Sequence, residues 1–207
     1  MSGISITDTY DDKAVSVRAL DGSGHIITPS GTSYVAIQNG TLRINDSYNL
    51  TTGMYTCLPE CSTVSYFNCR ALYCNIKTFT GIFTVGGPIE KTGRLRYING
   101  CSDTTIIAPL KLGNPCLNYL HFPPLIDQTP HTHPSLRAGI IIKGFGICKS
   151  NGFFELMETG NIFIIPKNSI HSFHTDHHKM DIVVFHPDSV FGPTDDTHQM
   201  LAATVAV

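Results

Sequence analysis

Three histidines carry the chemistry most open to reading from this chain. His131 and His133 stand at i and i+2, so on an extended segment both imidazoles leave the same face. His171 lies well downstream and can join them only through the fold. Neutral imidazole is a good ligand for iron, nickel, copper or zinc, so His131 and His133 can present two ligands toward one point. An isolated His-x-His pair is ordinarily a surface accident; Pro130 before this one and Pro134 after it punctuate a short strand. Arg137 follows in the same segment. A guanidinium cannot shed its proton to bind a metal, but it offers a planar fork to a carboxylate or phosphate.

In order, the residues read His131-x-His133-x3-Arg137-x6-Gly144 and then Gly160-x5-Pro166-x-Asn168-x2-His171. This resembles the two-part metal motif of the cupin superfamily, over a stretch from about Leu117 to Asp188. The resemblance implies a double-stranded β-helix, or jelly-roll, with a divalent transition metal on His131, His133 and His171. Iron is the first choice, with manganese, nickel, zinc and copper behind it. The family's usual fourth ligand, a glutamate, is replaced here by Arg137. Three-histidine sites occur in the superfamily's thiol dioxygenase-like members, so the resemblance implies an oxygenase-like enzyme first, with isomerase or lyase chemistry open. Arg137 would orient a small anionic substrate if it faces inward; a one-residue shift would turn it out and bring Ala138 in. His186 is the second candidate catalytic residue, at the end of a strand expected to pass the site. A small-ligand or sugar-binding cupin without turnover, or a structural protein with a stabilising metal, are the competing readings.

The elements that must hold these residues read as strands. Short apolar or alternating runs recur at Tyr34 to Ile37, Leu117 to Phe122, Gly139 to Ile142, Ile162 to Ile165 and Asp181 to Phe185, separated by glycine, proline and asparagine, so the chain is read as all-β. Ser33 to Gly40 resembles Arg137 to Gly144, and Leu50-Thr-Thr-Gly53-x5-Pro59 resembles Met157-Glu-Thr-Gly160-x5-Pro166. Two β-rolls are implied: residues 1–85 as a metal-free roll, 86–116 as a connector that is either linker or an extra strand, and 117–207 as the metal-binding roll. In the first half the positions matching His131, His133 and His171 fall on Ile27, Pro29 and Val64, which offer no ligand. Gly144-Phe145-Gly146 is expected to be a tight turn.

Other clusters are weaker. Cys57, Cys61, Cys69 and Cys74 lack the spacing of common zinc ribbons and are read as ordinary reduced thiols. Cys101 and Cys148 could be redox-active near a metal, though buried inert thiols are commoner. His174, His177 and His178 are expected on a solvated turn, and His121 as a core or supporting histidine. The 207 residues carry 42% hydrophobic and only 14% charged side chains with a net charge of −2, which suits a compact globule and gives no nucleic-acid signature. An odd count of seven cysteines and an N-terminus without basic or apolar leader character point to a soluble, cytoplasmic protein with no membrane partner. A homodimer is expected, since the edge strands of such rolls often pair between subunits.

Overall fold

The structure, a computed structural model, describes residues 3–202, 204 and 205. It is almost wholly β, in two antiparallel sheets. The first has seven strands: Thr9–Asp11, Val15–Ile27, Thr63–Ile76, Thr32–Ile44, Tyr55–Pro59 and Thr84–Gly86 in spatial order, with Tyr48–Thr51 paired to Thr32–Ile44. The second has nine: Ser5–Ile6, Ile162–Ile165, Arg137–Ser150, Met180–His186, Cys116–Phe122, Ser102–Ile107 and Leu95–Arg96 in order, with Phe153–Glu158 and His171–His174 on the far half of Arg137–Ser150. Each sheet curls into a roll, as the jelly-roll reading expects. All five apolar runs singled out in the sequence lie within strands.

Three cores explain why these runs are apolar at both parities. Val35, Ile37, Leu42, Leu50 and Tyr73 fill the first roll, while Phe122, Phe163, Phe173, Ile182 and Val184 fill the second. Between them lies a third core, in which Tyr34, Leu72 and Cys74 meet Leu117, Tyr119, Ala138, Val183 and Phe185. A strand such as Met180–His186 therefore buries even positions inside its own roll and odd positions against the other. Such a strand is apolar at both parities between its polar ends, Asp181 and His186. Each fully buried Leu, Ile or Phe contributes about 1.5–3 kcal/mol.

The repeat appears as strand register. Ser33 pairs with Leu58 and Ala36 with Tyr55, as Arg137 pairs with Ile165 and Ile140 with Ile162. Likewise Tyr34 faces Cys74 where Ala138 faces Phe185. Gly40 and Gly144 share a positive φ, +89° and +91°, and a Cβ there would lie 2.3 Å from the Asn68 carbonyl and 1.9 Å from that of Lys179. The expected tight turn at Gly144 is thus corrected: residues Arg137–Ser150 form one continuous strand, bent at this glycine.

A second correction concerns the first roll's register. Val64 pairs with Ile26, not Ile27, and Ile27 and Pro29 are exposed. Seven positions separate Ile26 from Ser33 where six separate His131 from Arg137, so the turn between them carries one extra residue and the matching position moves by one. Ile26 packs into the first roll's core, and among the described residues no group of three metal-binding side chains converges there. Strands Leu95–Arg96 and Ser102–Ile107 extend the second sheet, and Ser5–Ile6 crosses from the N-terminus to pair with Phe163 and Ile164.

Candidate metal centre

His171 opens the strand His171–His174, held between Ser150 of the bent strand and the segment carrying His131. The expected short strand through His131 and His133 is reduced to an isolated bridge, because Pro130 and Pro134 cannot donate to a ladder. What remains is enough. His131 and His171 exchange backbone N–H···O bonds of 2.9 and 3.0 Å, and the Asn168 N–H donates to the His133 carbonyl at 2.8 Å. The three ring centroids lie 4.5 to 5.0 Å apart, and one ring nitrogen from each histidine lies within 4.8 Å of the others. Among the described residues no other such group of metal-binding side chains converges.

The tautomers follow from the partners. Nδ1 of His131 lies 3.0 Å from the Thr129 carbonyl, and Nδ1 of His171 lies 3.0 Å from the Ser169 carbonyl. A carbonyl only accepts, so each Nδ1 carries a proton, and Nε2 is the ring atom left to face a metal. Burial, reinforced by Arg137 and the neighbouring rings, pushes His133 down to about 3. Burial likewise takes His171 down to about 4, against its bond to the Ser169 carbonyl. These two are neutral at physiological pH. Neutral imidazoles with free Nε2 atoms fit a divalent transition metal.

Arg137 faces the same cavity. It pairs with Ile165 of the second roll's interior, while Ala138 packs into the core between the rolls, so the outward alternative does not occur. Its Nη1 donates to Ser135 Oγ at 2.5 Å and to the Leu136 carbonyl at 2.9 Å. Ser135 Oγ donates in turn to Asp188, whose carboxylate lies 4.0 Å from Nη1. One end of the guanidinium is thereby anchored, while Nε is buried without a partner. Burial lowers Arg137 from its usual value, opposed by Asp188, and a guanidinium stays cationic at neutral pH regardless.

The cavity has a volume of about 70 Å³. Its floor is apolar, from Phe122, Phe163, Phe173 and Ile182, and the three histidines, Arg137 and His186 converge on it. Burial, with Arg137 and His133 nearby, holds His186 well below the ordinary histidine value. Four lining residues escaped the sequence reading: Tyr97, Asp103, Asn118 and Gln128. Asp103 is the one carboxyl among the lining residues, and burial pushes it up. Alternation along Leu117 to Phe122 would have placed Asn118 inward; nothing local marks Gln128, whose Oε1 accepts from the Phe173 N–H at 3.0 Å.

The remaining candidates fall away from this centre. His121 donates from Nδ1 to Asp181 at 2.6 Å, and Asp181 also accepts from Tyr119 and Lys179, which makes a satisfied buried network outside the cavity. His174 pairs with Asp127 and His178 with Asp176 at 2.7 and 2.9 Å, and His177 is exposed. Cys57 and Cys74 lie between the rolls, Cys69 inside the first and Cys61 at the surface, so they form no zinc site. Cys101 and Cys148 are buried, their thiols pushed up to about 11 and 12 by desolvation, which makes them inert.

A β-roll pair with three convergent imidazoles in one roll defines a cupin-type fold with a group that could hold a metal, and solved structures bear out the fold. The chain superposes on a cupin 2 conserved barrel domain protein from Leptotrichia buccalis with a TM-score of 0.62 at 14% identity, covering 88% of each chain. A putative glyoxylate induced protein from Pseudomonas aeruginosa gives 0.65 at 11% identity over 92% of this chain and 81% of that one. Salicylate 1,2-dioxygenase from Pseudoaminobacter salicylatoxidans gives 0.60 at 10% identity over 84% and 67%. No family model and no curated protein matches the sequence. The fold is therefore the cupin fold. No helix among the described residues is long and apolar enough to cross a membrane.

Proposed function

We propose that this chain is a metal-dependent enzyme acting on a small anionic substrate, with His131, His133 and His171 holding a divalent transition metal, iron first. The observation that carries this reading is the convergence of three imidazoles on a cavity that also holds the buried Arg137. A metal bound there would supply a Lewis-acid or oxygen-binding centre. Oxygenase chemistry is the first assignment, and the likeness to a protein named as a dioxygenase supports it.

The chain's own residues would do the rest. Arg137, anchored through Nη1, turns its free Nε edge toward a substrate carboxylate and orients it. His186, neutral and at the cavity wall, would hold water or substrate, and the Asp103 carboxyl, raised by burial, can take up and return a proton. The apolar floor excludes bulk water. The seven cysteines are all free, which supports a reducing, cytoplasmic setting. The strand Phe153–Glu158, an edge with Phe153 and Phe154 exposed, is the surface we assign to a homodimer. The net charge of −2 gives no nucleic-acid signature, and no such partner is proposed.

Elemental analysis of protein purified without a chelating tag tests the metal. Near-stoichiometric iron or another transition metal is expected; less than about a tenth of an equivalent after reconstitution overturns the reading. His133→Ala should then abolish oxygen uptake with small acids, thiols and diketones while leaving the melting temperature nearly unchanged. A large fall in melting temperature would instead make the metal structural.

A further inference from the structure

Five buried side-chain atoms among the described residues have no hydrogen-bond partner in the protein, and three of them belong to residues lining the cavity: Asn118 Oδ1, Gln128 Nε2 and Arg137 Nε. All three residues are more than nine-tenths buried, with exposures of 8%, 2% and 7%. Their concentration on one small cavity separates them from scattered packing defects, because buried polar groups are as a rule paired. The orientation of Gln128 is settled by its other end. Oε1 accepts from the Phe173 N–H, so the amide nitrogen is the atom left over, and it can only donate.

The three atoms set out what a ligand must bring. Arg137 Nε and Gln128 Nε2 require acceptors, which a carboxylate provides. Asn118 presents a carboxamide that no protein group pairs, so whichever way it is turned its oxygen requires a donor and its nitrogen an acceptor. A plain carboxylate has no donor at neutral pH. An amino acid has one, but its ammonium would enter a cavity that already holds the Arg137 cation and, when loaded, a metal dication. A hydroxyl is neutral, donates and accepts, and so answers the Asn118 amide. The volume of about 70 Å³ keeps the molecule short.

We infer that the substrate is a short hydroxy acid, its carboxylate on Arg137 and its hydroxyl read by Asn118, with Gln128 donating to one of its oxygens. This rests on the small anionic substrate proposed above and makes Asn118 and Gln128 the residues that select among such acids. Both are binding residues. Neither approaches the function of a metal ligand.

Calorimetric titration of the purified full-length chain with glycolate, lactate and 3-hydroxypropanoate, each against acetate or propionate, tests this. At least one hydroxy acid should bind roughly tenfold or more tighter than its counterpart, since a site with buried polar groups rejects the analogue that leaves them unpaired. Asn118→Leu should bring that ratio close to one with the affinity for the plain acid kept. Gln128→Glu, which retains the acceptor for the Phe173 N–H but loses the donor, should weaken hydroxy-acid binding, and it carries the test if Asn118→Leu does not fold. Arg137→Gln should weaken both acids alike. Equal binding of paired acids to the unaltered protein, with Arg137→Gln still weakening both, overturns this inference and leaves the anionic-substrate reading standing. If no acid binds, or if Arg137→Gln changes nothing, both fall.

Discussion

The two rolls share a frame and differ in what stands at its mouth. Strand register makes Tyr73 the counterpart of Val184, Arg18 of Asn118, Ser33 of Arg137 and Asn75 of His186. In the first roll the Arg18 guanidinium lies 4.5 Å from the centre of the Tyr73 ring, and the Tyr73 hydroxyl meets Ser33 Oγ at 2.6 Å. Asn75 closes the group by donating to Ser33 Oγ at 3.2 Å. The large ring packs into the roll's core, and the hollow that Arg18 and Tyr73 line with Ile27 and Pro29 is a broad open one with no imidazole on its wall. In the second roll a valine takes the tyrosine's place, and the polar groups around it face a cavity. A fold accommodates a site only where side chains leave room for one, which is why the frame alone does not decide function.

The shared frame can be broken at its bends. Gly144→Ala and Gly40→Ala each place a Cβ against a carbonyl oxygen at a positive φ, and each should cost about 3–5 kcal/mol from strain and overlap together. Denaturant unfolding measures it. Similar losses at both sites would show that the rolls depend on one bend; a tolerated alanine at either would break the equivalence.

Tyr73→Val tests the filling itself. It imposes the second roll's residue on the first, removing a fully buried ring at a cost of about 3 kcal/mol. The expected variant melts lower and binds no additional metal, because the first roll has no imidazoles around the opened space. Extra metal uptake on elemental analysis would contradict the comparison.

Acid should separate the rolls more gently. In chelator-stripped protein, His171 and His133 titrate at about 4 and about 3, below the 6.5 of the unfolded chain. Between those values the unfolded state holds more protons, so stability is full above about pH 6.5 and falls as pH drops toward 4 and then 3. The one histidine within the first sheet, His25, is exposed. Hydrogen exchange at pH 5 should therefore show protection lost in the second roll before the first; simultaneous loss would mean the rolls unfold as one unit.

Much of the second roll was legible in the sequence because its signals are short-range. The i, i+2 spacing of His131 and His133, the glycines at the bends and the apolar runs at Ile162–Ile165 and Asp181 to Phe185 each report a local constraint on the backbone. The first roll misled by one residue at Ile27 and Pro29, since its turn into the next strand is one residue longer: seven positions separate Ile26 from Ser33 where six separate His131 from Arg137. Tyr97, Asp103 and Gln128 were not legible at all. They come from separate segments and meet only in the closed roll.

By itself, then, the sequence determined the all-β class, the repeat and the three imidazoles, because periodicity and ligand type are written residue by residue. Only the tertiary structure decided that Arg137 points in, that Asn118 and Gln128 share its cavity, and that Tyr73 packs into the other roll's core. Each of these depends on which face of a strand is buried against which neighbour, and packing between distant segments sets that.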